Sequence, residues 1–86
     1  MTNKTTKTLQ LGRNIYCYRK AKGLSQNKLA EILDISREHL AKIETAKRCV
    51  SLLLLFKIAE ALEISEKDLF EFESHLQQGV ATPCWE

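Results

Sequence analysis

Apolar residues recur along this chain at intervals of three and four, and nowhere do Val, Ile, Thr and aromatics alternate as in a half-buried strand. Leu11, Ile15 and Tyr18 form the first such stripe and predict a helix from Leu9 to Lys22, with Gly23 as its stop. Ser25, Ser36, Ser51 and Ser65 then each stand just before an apolar-periodic segment, where a side-chain oxygen can accept from the free N–H groups of a helix start. Ser25 opens a second helix, Gln26 to Leu33, with Leu29, Ala30 and Leu33 inward. Ser36 opens a third, ending near Glu44 or Thr45, and Ser51 a fourth, reaching Leu62 or Glu63. Ser65 opens a fifth, with Glu66 and Asp68 in its first turn, where acids suit the helix dipole. The expected fold class is all-α: five short helices over residues 9–73, with tails at 1–8 and 74–86. No internal repeat is evident at this level.

Helices two and three are separated only by Asp34 and Ile35, so they must cross steeply, and a close crossing needs a small side chain such as Ala30. The turn needs a residue that tolerates a left-handed backbone. Glycine is usual there, and Asp is among the few alternatives. Ile35, Leu40 and Ile43 supply apolar plugs beneath. A small residue, a turn residue four positions on and then the plugs make a helix-turn-helix pattern over about residues 26–45. At about 100° per residue, Leu40 and Ile43 share one face of helix three. Glu38, Ala41, Lys42 and Thr45 gather on the opposite face, with Arg37 on its flank, His39 to one side and Glu44 between the two faces.

Eighty-six residues allow one small domain. Its net charge of +2 hides an asymmetry: residues 1–48 carry eleven Lys/Arg against four Asp/Glu, and residues 49–86 carry two against seven. A basic half on a small helical protein is the footprint of a polyanion binder, although a charge run is equally the makeup of a solvated face. Cys17, Cys49 and Cys84 are widely spaced, and with only His39 and His75 to join them no zinc pattern arises. Reduced thiols in a cytoplasmic protein are expected. The apolar run Leu52 to Phe56 falls far short of the ~18 residues that span a membrane, and MTNKTTKT lacks the apolar core of a signal peptide. There is no Gly-rich phosphate loop and no metal spacing, so neither an enzyme nor a cofactor is expected.

The segment QNKLAEILDISREHLAKIETAKR, with RNIYCYRKAKGLS before it and LFKIAEALEISEKDLF after it, resembles the Cro/C1-type (Xre-like) helix-turn-helix regulators of phages and bacteria. The resemblance covers about residues 9–72 and implies a lambda-repressor-like domain that binds double-stranded DNA, with helix three in the major groove. Arg37 and Lys42 would then donate to guanine or phosphate, Ala41 would meet a thymine methyl, and Glu38 would accept from cytosine. Gln26, at the start of helix two, would grip a phosphate together with exposed N–H groups. Ser36, and Lys47 and Arg48 in the following loop, would also contact the backbone. Relatives pair an acid at the Glu44 position with an Arg in helix one. Arg19 matches it, implying a partly buried ion pair. Three positions depart from the pattern: Asp34 for the usual turn glycine, Ala46 where a glycine commonly follows helix three, and Cys49-Val50 where Asn-Pro is frequent.

Leu53 and Leu54 fall on the polar side of helix four. A contiguous apolar patch on a small domain marks an interface, and regulators of this kind bind two-fold-related half-sites as homodimers. Leu53, Leu54, Phe70 and Phe72 are therefore the expected homodimer surface. No separate ligand-sensing domain is expected. The competing reading is a protein–protein module, an antitoxin or adaptor, working through the leucine patch and the acidic half.

Overall fold

The computed structural model describes residues 6–71, and these form α1 (Thr6–Ala21), α2 (Gln26–Leu33), α3 (Arg37–Glu44), α4 (Leu52–Leu62) and α5 (Glu66–Leu69), with no strand among them. Helix α1 starts at Thr6 rather than Leu9, so residues 6–8, expected in a tail, belong to it. Phe72, Cys84, Trp85 and the expected tail at 74–86 lie outside the described residues.

The serines do what their positions imply. Ser25 Oγ accepts from the Lys28 N–H at 3.0 Å, Ser36 Oγ from His39 N–H at 3.0 Å, and Ser51 Oγ from Leu54 N–H at 3.1 Å. Each thereby satisfies one of the N–H groups that a helix start leaves free. Ser65 works the other way round: its N–H and hydroxyl donate to the Asp68 carboxylate at 3.2 and 3.3 Å.

The helix ends share a second local rule. Gly23, Asp34, Ala46 and Glu63 all have positive φ, at 80°, 62°, 63° and 60°. Around each, the chain closes with the same pair of bonds. Leu24 N–H reaches Arg19 C=O, Ile35 reaches Ala30, Lys47 reaches Lys42 and Ile64 reaches Ala59, at 2.8–3.1 Å, while the positive-φ residue itself donates three positions back. This is the left-handed C-terminal stop that glycine adopts most easily. The structure thus places Asp34 and Ala46, two of the departures from the family pattern, in the backbone conformation that glycine would have taken.

Two of these stops lie in matching segments. LAEILDISREHL at 29–40 and IAEALEISEKDL at 58–69 carry Ala, Leu, acid, Ile, Ser and Leu in the same order. They place Asp34 and Glu63 in the same conformation and Leu40 and Leu69 at 0% exposure. The pair α4–α5 is a second, truncated helix-turn-helix unit. This corrects the expectation of no repeat, and the two units differ in that α5 stops after four residues where α3 runs for eight.

The largest fully buried side chains are Ile15, Leu29, Leu40, Ile58 and Leu69, one from each helix. Helix α1 packs on α3, α4 and α5, and α2 on α3 and α4. At Gly12 an added Cβ would lie 2.7 Å from the carbonyl oxygens of both Ile43 and Glu44. Backbone cannot yield there, so only glycine lets α1 come this close to the end of α3. Asn14, also on α1 and buried, donates through Nδ2 to the carbonyls of Leu69 at 2.8 Å and Glu71 at 3.1 Å. On the surface, Lys22 and Glu63 form an ion pair at 2.6 Å. The hydrogen bond from Lys22 and its charge hold the Glu63 carboxyl below the usual glutamate range. Cys49 is an exposed free thiol.

Asp34 is exposed and makes its contribution through backbone shape, so Asp34→Gly should stabilise the fold by up to about 1 kcal/mol, because glycine removes the left-handed penalty. In a domain this small that corresponds to a rise of roughly 4–8 °C in Tm. A thermal melt showing a fall instead would mean that the Asp34 side chain holds the turn by a contact of its own.

Candidate nucleic-acid interface

Helix α3 is anchored along one side and bare along the other. Leu40 is 0% exposed, Ile43 2% and Glu44 6%, whereas Arg37, Glu38 and Lys42 are exposed and Ala41 and His39 are half-buried. Thr45, next on the outward side, turns its hydroxyl back to the carbonyls of Ala41 at 2.9 Å and Lys42 at 3.3 Å. Lys47 and Arg48 follow directly and are exposed. The outward surface of α3 and its loop therefore presents four cations, Arg37, Lys42, Lys47 and Arg48, around one acid, Glu38.

Glu44 faces away from that surface. Its carboxylate accepts from Arg19 Nε at 2.6 Å and from Nη2 at 3.2 Å, a two-pronged pairing that suits the planar guanidinium. Both side chains are almost wholly buried. The third guanidinium nitrogen, Nη1, donates to the Leu24 carbonyl at 2.8 Å, and the Arg19 carbon lies 5.2 Å from the centre of the Tyr16 ring. Arg19 thus joins the end of α1, the loop into α2 and the end of α3. Among the described residues no buried side-chain N or O atom lacks a partner.

Gln26 stands at the first turn of α2, where the expectation placed a phosphate grip. Its amide Nε2 donates to Glu44 Oε1 at 3.0 Å, and its Oε1 accepts from Arg37 Nη1 at 3.4 Å. The Ser36 hydroxyl oxygen is engaged by the α3 cap. The structure therefore brings Gln26, Ser36, Arg37 and Glu44 together at the α2–α3 junction. Sequence reasoning missed Gly12 and Asn14. A glycine inside a helical pattern was the available signal for the first, while a lone Asn on an amphipathic helix offers none for the second.

The expected leucine patch is shifted. Leu53 is 66% exposed, but Leu54 is half-buried and packs against the core, because its side of α4 turns inward. Leu52 at 66% and Phe56 at 45% extend the exposed apolar face instead, and Phe70 is 46% exposed. No helix among the described residues is long and apolar enough to cross a membrane.

Comparison with known proteins bears on this surface. The helix-turn-helix family pattern matches residues 16–69. An uncharacterized HTH-type transcriptional regulator of Rickettsia conorii is 43% identical over 61 residues, covering 71% of this chain and 49% of its own. The control protein C.SmaI of Serratia marcescens is 38% identical over 55 residues, covering 64% of this chain and 66% of its own. The crystal structure of the restriction-modification controller protein C.AhdI from Aeromonas hydrophila superposes with a TM-score of 0.73 at 35% identity, over 77% of this chain and 100% of that one. The chain spans about half the length of the Rickettsia conorii regulator and of two other curated relatives it matches.

Removing one member of the buried pair leaves the other charge without a partner, a change that typically destabilises by about 3–5 kcal/mol. Arg19→Ala should therefore lower the melting temperature steeply or abolish the cooperative transition, as followed by circular dichroism. An unchanged melting temperature would show that α3 is held without the pair.

Proposed function

The chain belongs to the helix-turn-helix family, and on that premise we propose that it is a Cro/C1-type transcription regulator that binds a two-fold DNA operator as a homodimer. The family is one of transcription regulators rather than enzymes. The single observation that carries the reading is the split of α3: one side is buried and ion-paired, and the other offers cations to a groove that admits one α-helix. In this reading Arg37 and Lys42 donate to base edges or phosphate, Ala41 meets a thymine methyl and Glu38 accepts from a cytosine. Gln26, Ser36, Lys47 and Arg48 set the register on the phosphates, which position the protein without carrying sequence information. The protein works in the cytoplasm, where its DNA is.

The exposed residues Leu52, Leu53 and Phe56, which share one face of α4, together with the exposed Phe70, are the surface we assign to the homodimer. Two copies joined there would present two α3 helices to half-sites about one DNA turn apart. The same apolar face supports the competing reading of a protein–protein adaptor, and DNA affinity separates the two.

Two measurements test the proposal. Duplexes selected from random sequence should converge on a palindrome, and affinity for it should fall by roughly three to five orders of magnitude between about 50 and 200 mM salt, given about six to ten phosphate contacts per dimer. No duplex binding even at low salt would favour the adaptor. In sedimentation, Leu52→Lys/Leu53→Lys should shift the protein toward monomer at concentrations where the parent is dimeric. A variant as dimeric as its parent would remove this face from the interface.

A further inference from the structure

The second helix-turn-helix unit repeats the first in shape and reverses it in charge. In the register that aligns residues 29–40 with 58–69, the outward residues Arg37, Glu38, Ala41 and Lys42 correspond to Glu66, Lys67, Phe70 and Glu71. These second-unit residues are all exposed. Each charge has changed sign, and the small alanine has become a phenylalanine. With two acids to one base, such a face does not attract a polyanion. Acids and a base around an aromatic ring are instead self-complementary, as the meeting of like patches across a two-fold axis requires.

Holding that face in place is difficult for α5, which has only four residues. A single turn is not stable by itself in water. Past it, Phe70 N–H reaches the Lys67 carbonyl at 3.0 Å and Glu71 N–H reaches that of Asp68 at 3.3 Å. A further hold comes from α1. Asn14 is 6% exposed, and its Nδ2 donates to the carbonyls of Leu69 at 2.8 Å and Glu71 at 3.1 Å. An amide nitrogen carries two N–H groups, enough for one to each carbonyl, and the two bonds bracket Phe70 along the chain. The reversed amide would set its oxygen against both carbonyls. Leu69 is anchored by the core at 0% exposure, and the Asn14 clamp carries that anchoring two residues further.

We propose that Asn14 is a positioning residue for self-association: by clamping the chain on either side of Phe70, it holds that ring and the reversed charges in the pose that a second copy meets. The inference rests on the homodimer reading and adds to it a residue on α1, buried beneath the surface it organises. Ordering Phe70 in advance lowers what must be ordered on association.

Two experiments on the full chain test the clamp and its purpose separately. Hydrogen exchange followed by NMR reads the clamp. The Phe70 and Glu71 N–H groups should exchange on the order of tenfold faster in Asn14→Leu than in the parent, while the Leu40 N–H keeps its protection. Asn14→Ser is the second variant if Asn14→Leu shows no cooperative melt. Sedimentation equilibrium reads the purpose. Either variant should raise the dimer dissociation constant on the order of tenfold, as Phe70→Ala does. Combined with Phe70→Ala, it should cost no more than Phe70→Ala alone. Affinity for a duplex carrying a single half-site should stay that of the parent, because α3 is untouched. Losses that add to those of Phe70→Ala, or half-site affinity that falls in step, would make Asn14 a purely structural residue and overturn the proposal. Exchange at Phe70 and Glu71 equally fast in parent and variant, or a dimer indifferent to both variants, would also overturn it while leaving the homodimer reading intact. A parent that is monomeric at every concentration defeats the homodimer reading itself, and the proposal with it.

Discussion

The Arg19–Glu44 pair is the constraint on which the rest of this structure turns. Each charge sits where water is nearly excluded, and each is tolerable there only because the other is present. Its value lies less in net stability than in what it orders. The guanidinium fork fixes the carboxylate at the end of α3, its remaining nitrogen fixes the loop that leads into α2, and the carboxylate fixes the amide that opens α2. Gly12 makes the arrangement possible, since any side chain there would force α1 away from the α3 carbonyls. One buried contact thus decides how far α3 stands from α1 and which of its faces is left for a partner.

That decision explains the mixed charge of α3. Acids on a helix proposed to face a polyanion are out of place until direction is considered. Glu44 points inward and is neutralised by Arg19, while Glu38 alone shares the outward face with Arg37 and Lys42. The electrostatic surface that remains is cationic, and the likeness to a restriction-modification controller places the same fold among proteins of that kind.

Much of this was legible because helix signals are local. Serine caps, apolar stripes and the steep turn at Asp34 each depend on a few neighbouring residues, and the structure shows them at those positions. What the pattern hid were properties set by distant packing. Leu54 lies on the polar side of an isolated wheel, yet half of it is covered because neighbouring helices close over that side of α4. Asn14 finds acceptors 55 and 57 residues away, a pairing no periodicity announces. Gln26 could be placed at a helix start by its cap, but its two partners depend on the third dimension. The start of α1 was misjudged for a simpler reason, because Thr6, Lys7 and Thr8 carry no apolar stripe to mark a helix.

The paired units α2–α3 and α4–α5 have a consequence for how the chain acquires its shape. Each closes through a tight stop of short sequence separation, so most contacts within a unit are local, the class associated with fast folding. The units join directly where α2 packs on α4 and, over longer distances, through α1, which holds the C-terminal end of α3 through Arg19 and that of α5 through Asn14. The topology is that of two small hairpins of helix assembled under a common brace. The contacts of that brace close the longest loops of the chain, and closing them costs more chain entropy than closing either turn.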